Sequence, residues 1–173
     1  MIHIRPERPG EEHAVHAIHR AAFPDPDEAD LVRRLRSDGD VLISLVAEGG
    51  GALVGHVLFS PVSLEPHGHG LAGAGLAPLA VAPPCQGRGI GTRLCLAGIE
   101  ACRETGQDFL VVLGSPGYYA RFGFRPAARY GLTDTWGGGD AFQVLELKSG
   151  ALANVGGTVH YAPAFGALVQ AAS

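Results

Sequence analysis

One stretch limits what this chain can fold into. The apolar run Leu76–Ala82 halts at Pro83-Pro84, and Gln86-Gly87-Arg88-Gly89-Ile90-Gly91 then leads into residues with helical spacing. A strand that feeds a helix through glycines makes an anion site. The first-turn N–H groups of a helix lack intrahelical partners and sit at the positive end of its dipole, so together they can point at a phosphate. Gly89 and Gly91 carry no Cβ, which lets the backbone approach a diphosphate closely. Arg88 supplies a further charge-assisted donor.

Two common phosphate loops do not fit. A Walker loop needs Lys and then Ser or Thr after its last glycine, and no Lys lies near Gly91. A dinucleotide fingerprint needs a third glycine, where this segment has Thr92 or Leu94. A G-x-G-x-x-G string does occur at Gly68, Gly70 and Gly73, but it precedes a strand and reads as a hairpin loop.

The 173 residues, 46% hydrophobic, are enough to bury a core as one domain over residues 1–173. A net charge of -4 and a pI near 6.0 offer no basic surface for nucleic acid or membrane. The partner expected is therefore a small molecule or a protein. Cys85, Cys95 and Cys102 are odd in number and lack C-x-x-C spacing, which points to reduced thiols in a cytoplasm. No leader pattern follows Met1, and no apolar run approaches the ~20 residues of a bilayer span, so a soluble, unexported protein is expected.

In chain order, Ile2 and Ile4 mark a short edge strand ended by Pro6 and Pro9. Glu11 and Glu12 open a helix with Val15, Ile18 and Ala22 inward, and His13, His16 and His19 read as its solvated side rather than a metal comb. Asp27 and Glu28 start a second helix that buries Leu31, Val32 and Leu35 and stops at Gly39. Val41–Glu48 and Ala52–Ser63, joined by three glycines, form an antiparallel hairpin whose regular pairing Pro61 is expected to close. His56 and Ser60 share one face of it, as core groups or substrate contacts.

After the glycine-rich connection Glu65–Gly75, Pro78 delays regular pairing of the next strand until Leu79. The helix after the loop carries an inward stripe of Ile90, Leu94, Ala97 and Ala101, and Gly98 lets it lie close to the sheet. Cys95 and Cys102 belong to the core. Phe109–Leu113 is a buried strand, and Ser115-Pro116 caps a short helix that ends at Gly123. Residues 125–140 read as a loop whose Trp136 can cover a substrate. Phe142–Leu147 is another strand. Thr158–Tyr161 and Phe165–Leu168 add a strand and turn within a C-terminal extension, residues 149–173.

The loop Gln86-x-x-Gly89-x-Gly91, preceded by Leu79-Ala80-Val81 and followed by Tyr118-Tyr119-Ala120-Arg121-Phe122-Gly123-Phe124, resembles the GCN5-related N-acetyltransferase (GNAT) superfamily, and within it a bacterial branch of N-acetyltransferases. The resemblance spans about residues 1–148. It implies an α/β (α+β) fold, a mixed and mostly antiparallel central sheet of six to seven strands flanked by about four helices. It implies acetyl-CoA as cosubstrate, no metal, and an amine of a small molecule or peptide as acceptor; a homodimer stays open. The coenzyme site implied comprises Leu79, Ala80, Val81, Gln86, Gly87, Arg88, Gly89, Ile90, Gly91, Thr92, Ser115 and Tyr119. Leu79–Val81 leave backbone groups free for the pantetheine arm. Tyr119 falls beside the coenzyme sulfur as the acid, with Tyr118 as the alternative if the helix is rotated. Many members of the branch have His where this chain has Ser115. The second helix borders the acceptor, so Asp27 and Glu28 are alternatives there to simple capping. Amine attack needs a base, for which Glu48, His56 and Asp134 are candidates. An acetyl-Cys85 route lacks a visible activating His. The competing class is a non-catalytic acyl-CoA binding or sensing module.

Overall fold

The computed structural model describes residues 1–66 and 69–172. Its strands are β1 (Ile2–Pro6), β2 (Ile43–Gly49), β3 (Ala52–Glu65), β4 (Gly73–Val81), β5 (Phe109–Leu113), β6 (Arg125–Pro126), β7 (Leu132–Asp134), β8 (Phe142–Glu146) and β9 (Gly157–His160). Its helices are α1 (Glu12–Ala22), α2 (Asp27–Asp38), α3 (Ile90–Glu104), α4 (Pro116–Tyr119) and α5 (Phe165–Ala172). The main sheet runs β1-β2-β3-β4-β5-β8-β6, with β9 joining β3 to β7. Among the described residues, only β4–β5 and β7–β9 pair in parallel. The mixed, mostly antiparallel sheet is as expected, with seven strands on its main path and β7 and β9 attached beside it; among the described residues there are five helices where about four are expected. β6 and β7 lie inside the expected 125–140 loop and are too short to show a sequence period, and the added helix is α5, whose first residues Phe165–Leu168 read as a turn in the sequence.

The sheet separates two packed layers. On one face α3 buries Ile90, Leu94, Cys95, Ile99 and Cys102 against Val57, Phe59, Leu76, Leu110 and Val112. The stripe lies to one side of the expected Ala97 and Ala101, which are only half-buried. Gly98 explains the close approach, because a Cβ there would fall on the Phe59 ring. On the other face α1 and α2 pack Val15, Leu31, Val32 and Leu35 on Val46 and Leu58, and Phe165 of α5 joins them. The segment Ala162–Phe165 thus joins this layer, and β9 extends the ladder of β3.

Local departures from the sequence reading have simple causes. His19 is fully buried, not solvated. A spacing of three on a helix of 3.6 residues per turn carries His19 about 120° round from His13, onto the sheet. Pro61 does not close β3, since Pro61 pairs with Ala74 and Val62 with Gly73. On the opposite side of β3 the β2 ladder ends at Phe59 and the β9 ladder begins at Ser63, so a residue without an N–H is tolerated between them. Pro78 likewise does not delay β4, which pairs with β3 from Gly73; the register only shifts near it, between Val57 and Phe59. Of the Gly68, Gly70, Gly73 string, Gly68 lies outside the described residues, Gly70 has φ +67, and Gly73 opens β4.

Candidate active site

The site begins where β4 and β5 part. They pair only through Gly73, Ala74 and Gly75 against Phe109, Leu110 and Val111. Beyond that point β4 keeps β3 on one side, and among the described residues no strand pairs with the other edge of Leu76–Val81. The Ala82 N–H donates to the Val54 carbonyl of β3 at 2.8 Å. Successive N–H groups of a strand point to opposite edges, so that of Val81 faces the open cleft. The Val81 carbonyl on the same edge accepts Gln86 Nε2 at 2.9 Å, which ties the loop back to the strand. The Gln86 side chain therefore shapes the loop.

Gly87 and Gly89 take φ of +74 and +76, the left-handed region that the loop needs to turn its amides toward the start of α3. Gly89 is the residue preceding α3, and Ile90 is buried beneath it. A cavity of about 370 Å³ lies over this helix start, with Val81, Gln86, Gly89, Gly91 and Thr92 on one side and Tyr118 and Arg121 on the other. Gly87, Ile90 and Cys85 complete the lining. Arg88 is exposed and does not line the cavity. Its place as the cationic wall is taken by Arg121, whose guanidinium sits 4.3 Å over the Tyr118 ring and donates from Nε to the Tyr118 carbonyl at 2.9 Å. The one available sequence signal for Arg121 was its position three residues after Tyr118, one helical turn on.

The two tyrosines diverge because neighbours on a helix point about 100° apart. Tyr118 meets Thr92 Oγ1 at 3.3 Å and lines the cavity. Tyr119 turns to the core, edge-on to Tyr118 and Phe124, its ring pressed against Gly114 at the end of β5. Burial raises the Tyr119 phenol well above the ordinary range, aided by Cys95 and Tyr118. Ser115 is exposed; its hydroxyl makes no cap bond, and its carbonyl instead receives the N–H groups of Tyr118 and Tyr119. Leu79 is half-buried and Ala80 buried. Burial pushes the Cys95 thiol up to about 12, so it is an inert core group.

The candidate bases are dispersed. Glu48 is held by Arg5 Nε at 2.8 Å. His56 is buried between Ser44 and His19, each at 2.8 Å. Asp134 accepts the Gly138 N–H and lies near the Tyr161 phenol, which burial raises first and Asp134 second. Trp136 does not hang free as a cover: it stacks on Tyr161 at 4.9 Å between centroids, and Tyr161 meets Phe165 at 5.1 Å. Tyr161 is a residue that strand periodicity alone did not mark.

Comparison with known proteins places the chain among relatives of known fold. Residues 3–127 match the acetyltransferase (GNAT) domain family. The chain is 40% identical over 160 residues to the uncharacterized N-acetyltransferase YhbS of Escherichia coli strain K12, covering 91% of this chain and 95% of that protein. The crystal structure of Escherichia coli YhbS in complex with CoA superposes with a TM-score of 0.90 at 38% identity, over 95% of this chain and 92% of the other. A GNAT family acetyltransferase from Brucella melitensis in complex with acetyl-CoA gives 0.79 at 34%, over 95% and 98%. The chain belongs to the GNAT acetyltransferase family.

Proposed function

We propose that the protein transfers an acetyl group from acetyl-CoA directly to a primary amine of a small molecule or peptide. The observation that carries this reading is the continuous track from the free edge of β4, with the Val81 N–H facing the cleft, to the glycine loop at the start of α3. A pantetheine arm can pair with the first as an added strand would, and a diphosphate suits the second. CoA and acetyl-CoA in the two relatives' crystal structures support the same ligand here.

In this mechanism the amine attacks as its neutral form, forming the C–N bond while the carbonyl electrons move to oxygen. An N–H on the open edge of β4 would stabilise that oxyanion. When the oxyanion collapses, the C–S bond breaks with its electron pair on sulfur, and the Tyr119 O–H gives the thiolate its proton. The proton lost by the amine nitrogen passes to solvent and the phenolate recovers one from it. A reducing cytoplasm suits the three free cysteines of the chain.

The test has two parts. Calorimetry is expected to detect binding of CoA and acetyl-CoA, and thiol release from acetyl-CoA is expected with at least one member of a panel of amines, amino acids and lysine peptides. Binding without release across the panel would identify an acyl-CoA binding module instead, and no binding would overturn the reading altogether.

A further inference from the structure

Among the described residues, three buried side-chain atoms have no hydrogen-bond partner: His19 Nδ1, Ser60 Oγ and the Tyr161 hydroxyl. Unpartnered buried polar groups cost stability and call for an explanation. Two of the three belong to residues grouped around Gly75. Ser60 stands opposite Gly75 in the β3–β4 ladder, and directly opposed residues present their side chains to the same face. On that face a Cβ added to Gly75 would lie 2.8 Å from the Tyr161 ring. Gly75 is also the last residue of β4 that pairs with β5. The Ser60 side chain and the Tyr161 ring therefore flank Gly75 at the apex of the cleft, on the face away from α3.

The Tyr161 ring needs no hydroxyl to hold its position. Trp136 stacks on it, Phe165 tilts against it at 5.1 Å and Phe142 meets its edge at 6.5 Å. A Phe would fill this space equally well and leave nothing unsatisfied. The surroundings also carry a sign. Burial first, and then the nearby Asp134 carboxylate, raise the Tyr161 phenol, and this negative charge, with the π-face of Trp136 nearby, favours a cationic or strongly N–H-donating guest over an anion.

We propose that Tyr161 and Ser60 are the seat of the acceptor: their hydroxyl oxygens accept N–H bonds from an incoming primary aliphatic amine and turn its lone pair toward the thioester carbon. The assignment rests on the acetyl-transfer reading above. Tyr161 neither gains nor loses its own proton in this role. It is supplied by β9 and the segment after it, so the C-terminal extension completes the site.

The experiment compares wild type with Tyr161→Phe and Ser60→Ala, using n-butylamine, benzylamine and a lysine tripeptide as acceptors. For Tyr161→Phe the amine KM is expected to rise about tenfold, with the affinity for CoA unchanged and the thermal midpoint equal or higher, since an orphan polar group has been removed. Ser60→Ala is expected to act in the same direction. A purely structural Tyr161 would lower the midpoint and leave the KM alone, and either result overturns the proposal. Calorimetry of the amines with CoA-loaded protein separates the two readings. Amine binding that wild type has and Tyr161→Phe loses, without thiol release, counts against acetyl transfer alone. Equal binding by both proteins, or none by wild type, counts against the amine seat.

Discussion

His19 Nε2 lies 2.8 Å from His56 Nδ1, and this buried contact fixes the tautomer of both rings. The direction is set from the far end. The Glu7 carboxylate only accepts, so the Ser44 hydroxyl donates to it. Ser44 oxygen must then accept from His56 Nε2–H at 2.8 Å, which leaves His56 Nδ1 bare to accept from His19 Nε2–H. His19 Nδ1 ends the chain as an unpartnered lone pair. Arg36 closes the other end, donating to Glu7 at 2.7 Å.

A pH dependence of stability follows from this chain. Burial, and then the charge His56 would carry, push His19 from its ordinary 6.5 down to about 3. Burial alone would raise Glu7, but bonds from His56, Arg36 and Ser44 outweigh it and bring the carboxyl from 4.5 to about 2. In both cases the unfolded chain binds the proton more readily, so stability is full above the unfolded pKa and is lost as pH falls through the folded one. The urea midpoint is expected to be level above pH 7, to fall below about 6.5 as His19 contributes, and to steepen below about 4.5 as Glu7 joins, each by at most about 1.4 kcal/mol per pH unit. His19→Phe, which keeps the stack on Phe23, should make the upper window shallower, while His56, lowered by burial, sustains the remainder. A wild-type midpoint constant from pH 7 to 4 would contradict the chain of bonds.

Gly98 offers a test of packing. Replacing it with Ala gains about 1 kcal/mol of helix propensity. The added methyl falls on Phe59, a fully buried ring with little freedom to retreat. Overpacking costs roughly 1–3 kcal/mol, so Gly98→Ala is expected to lower stability by about 1 kcal/mol in urea unfolding, and Gly98→Val by more. A stabilised Gly98→Ala protein would mean that α3 can lift from the sheet.

These residues also show where the sequence was legible. The loop from Gln86 to Gly91 could be read because its chemistry is local: glycines, a strand before and a helix after. The α3 core stripe was read one step off, since Ala is ambiguous between a buried and a surface position. His19 and Glu7 were beyond reach for another reason. Their roles are fixed by Ser44, His56 and Arg36 across three elements, and no spacing within one element encodes that. Tyr161 depends on Gly75 being bare, a relation between residues far apart in the chain.

Arg121 is expected to hold the coenzyme in place of Arg88. Both guanidinium groups are on exposed residues, but Arg121 lines the cavity and is braced by Tyr118, whereas Arg88 is outside the lining. A charge-assisted contact to phosphate is worth roughly 1.5–3 kcal/mol. Arg121→Ala should therefore raise the Kd for CoA about tenfold or more and flatten its dependence on salt, while Arg88→Ala changes it by less than about threefold. Calorimetry at two ionic strengths decides, and a larger loss from Arg88→Ala would return the role to the loop.

Tyr119 and Tyr118 divide chemistry from binding. The Tyr119 phenol, raised by burial, stays protonated across the working pH range and remains an acid for the departing thiolate. The Tyr118 hydroxyl faces the cavity beside Thr92 instead. Tyr119→Phe is expected to lower kcat at least about tenfold with the CoA Kd within about twofold of wild type, because an interaction made only in the transition state is lost. Tyr118→Phe should do the reverse, weakening CoA by a few-fold with little change in kcat. The wild-type rate should also show no alkaline fall from Tyr119 below pH ~10, since its pKa lies above that of a free phenol. Equal kcat for Tyr119→Phe and wild type would remove the acid role, and a collapse of kcat in Tyr118→Phe would move it to the cavity-facing ring.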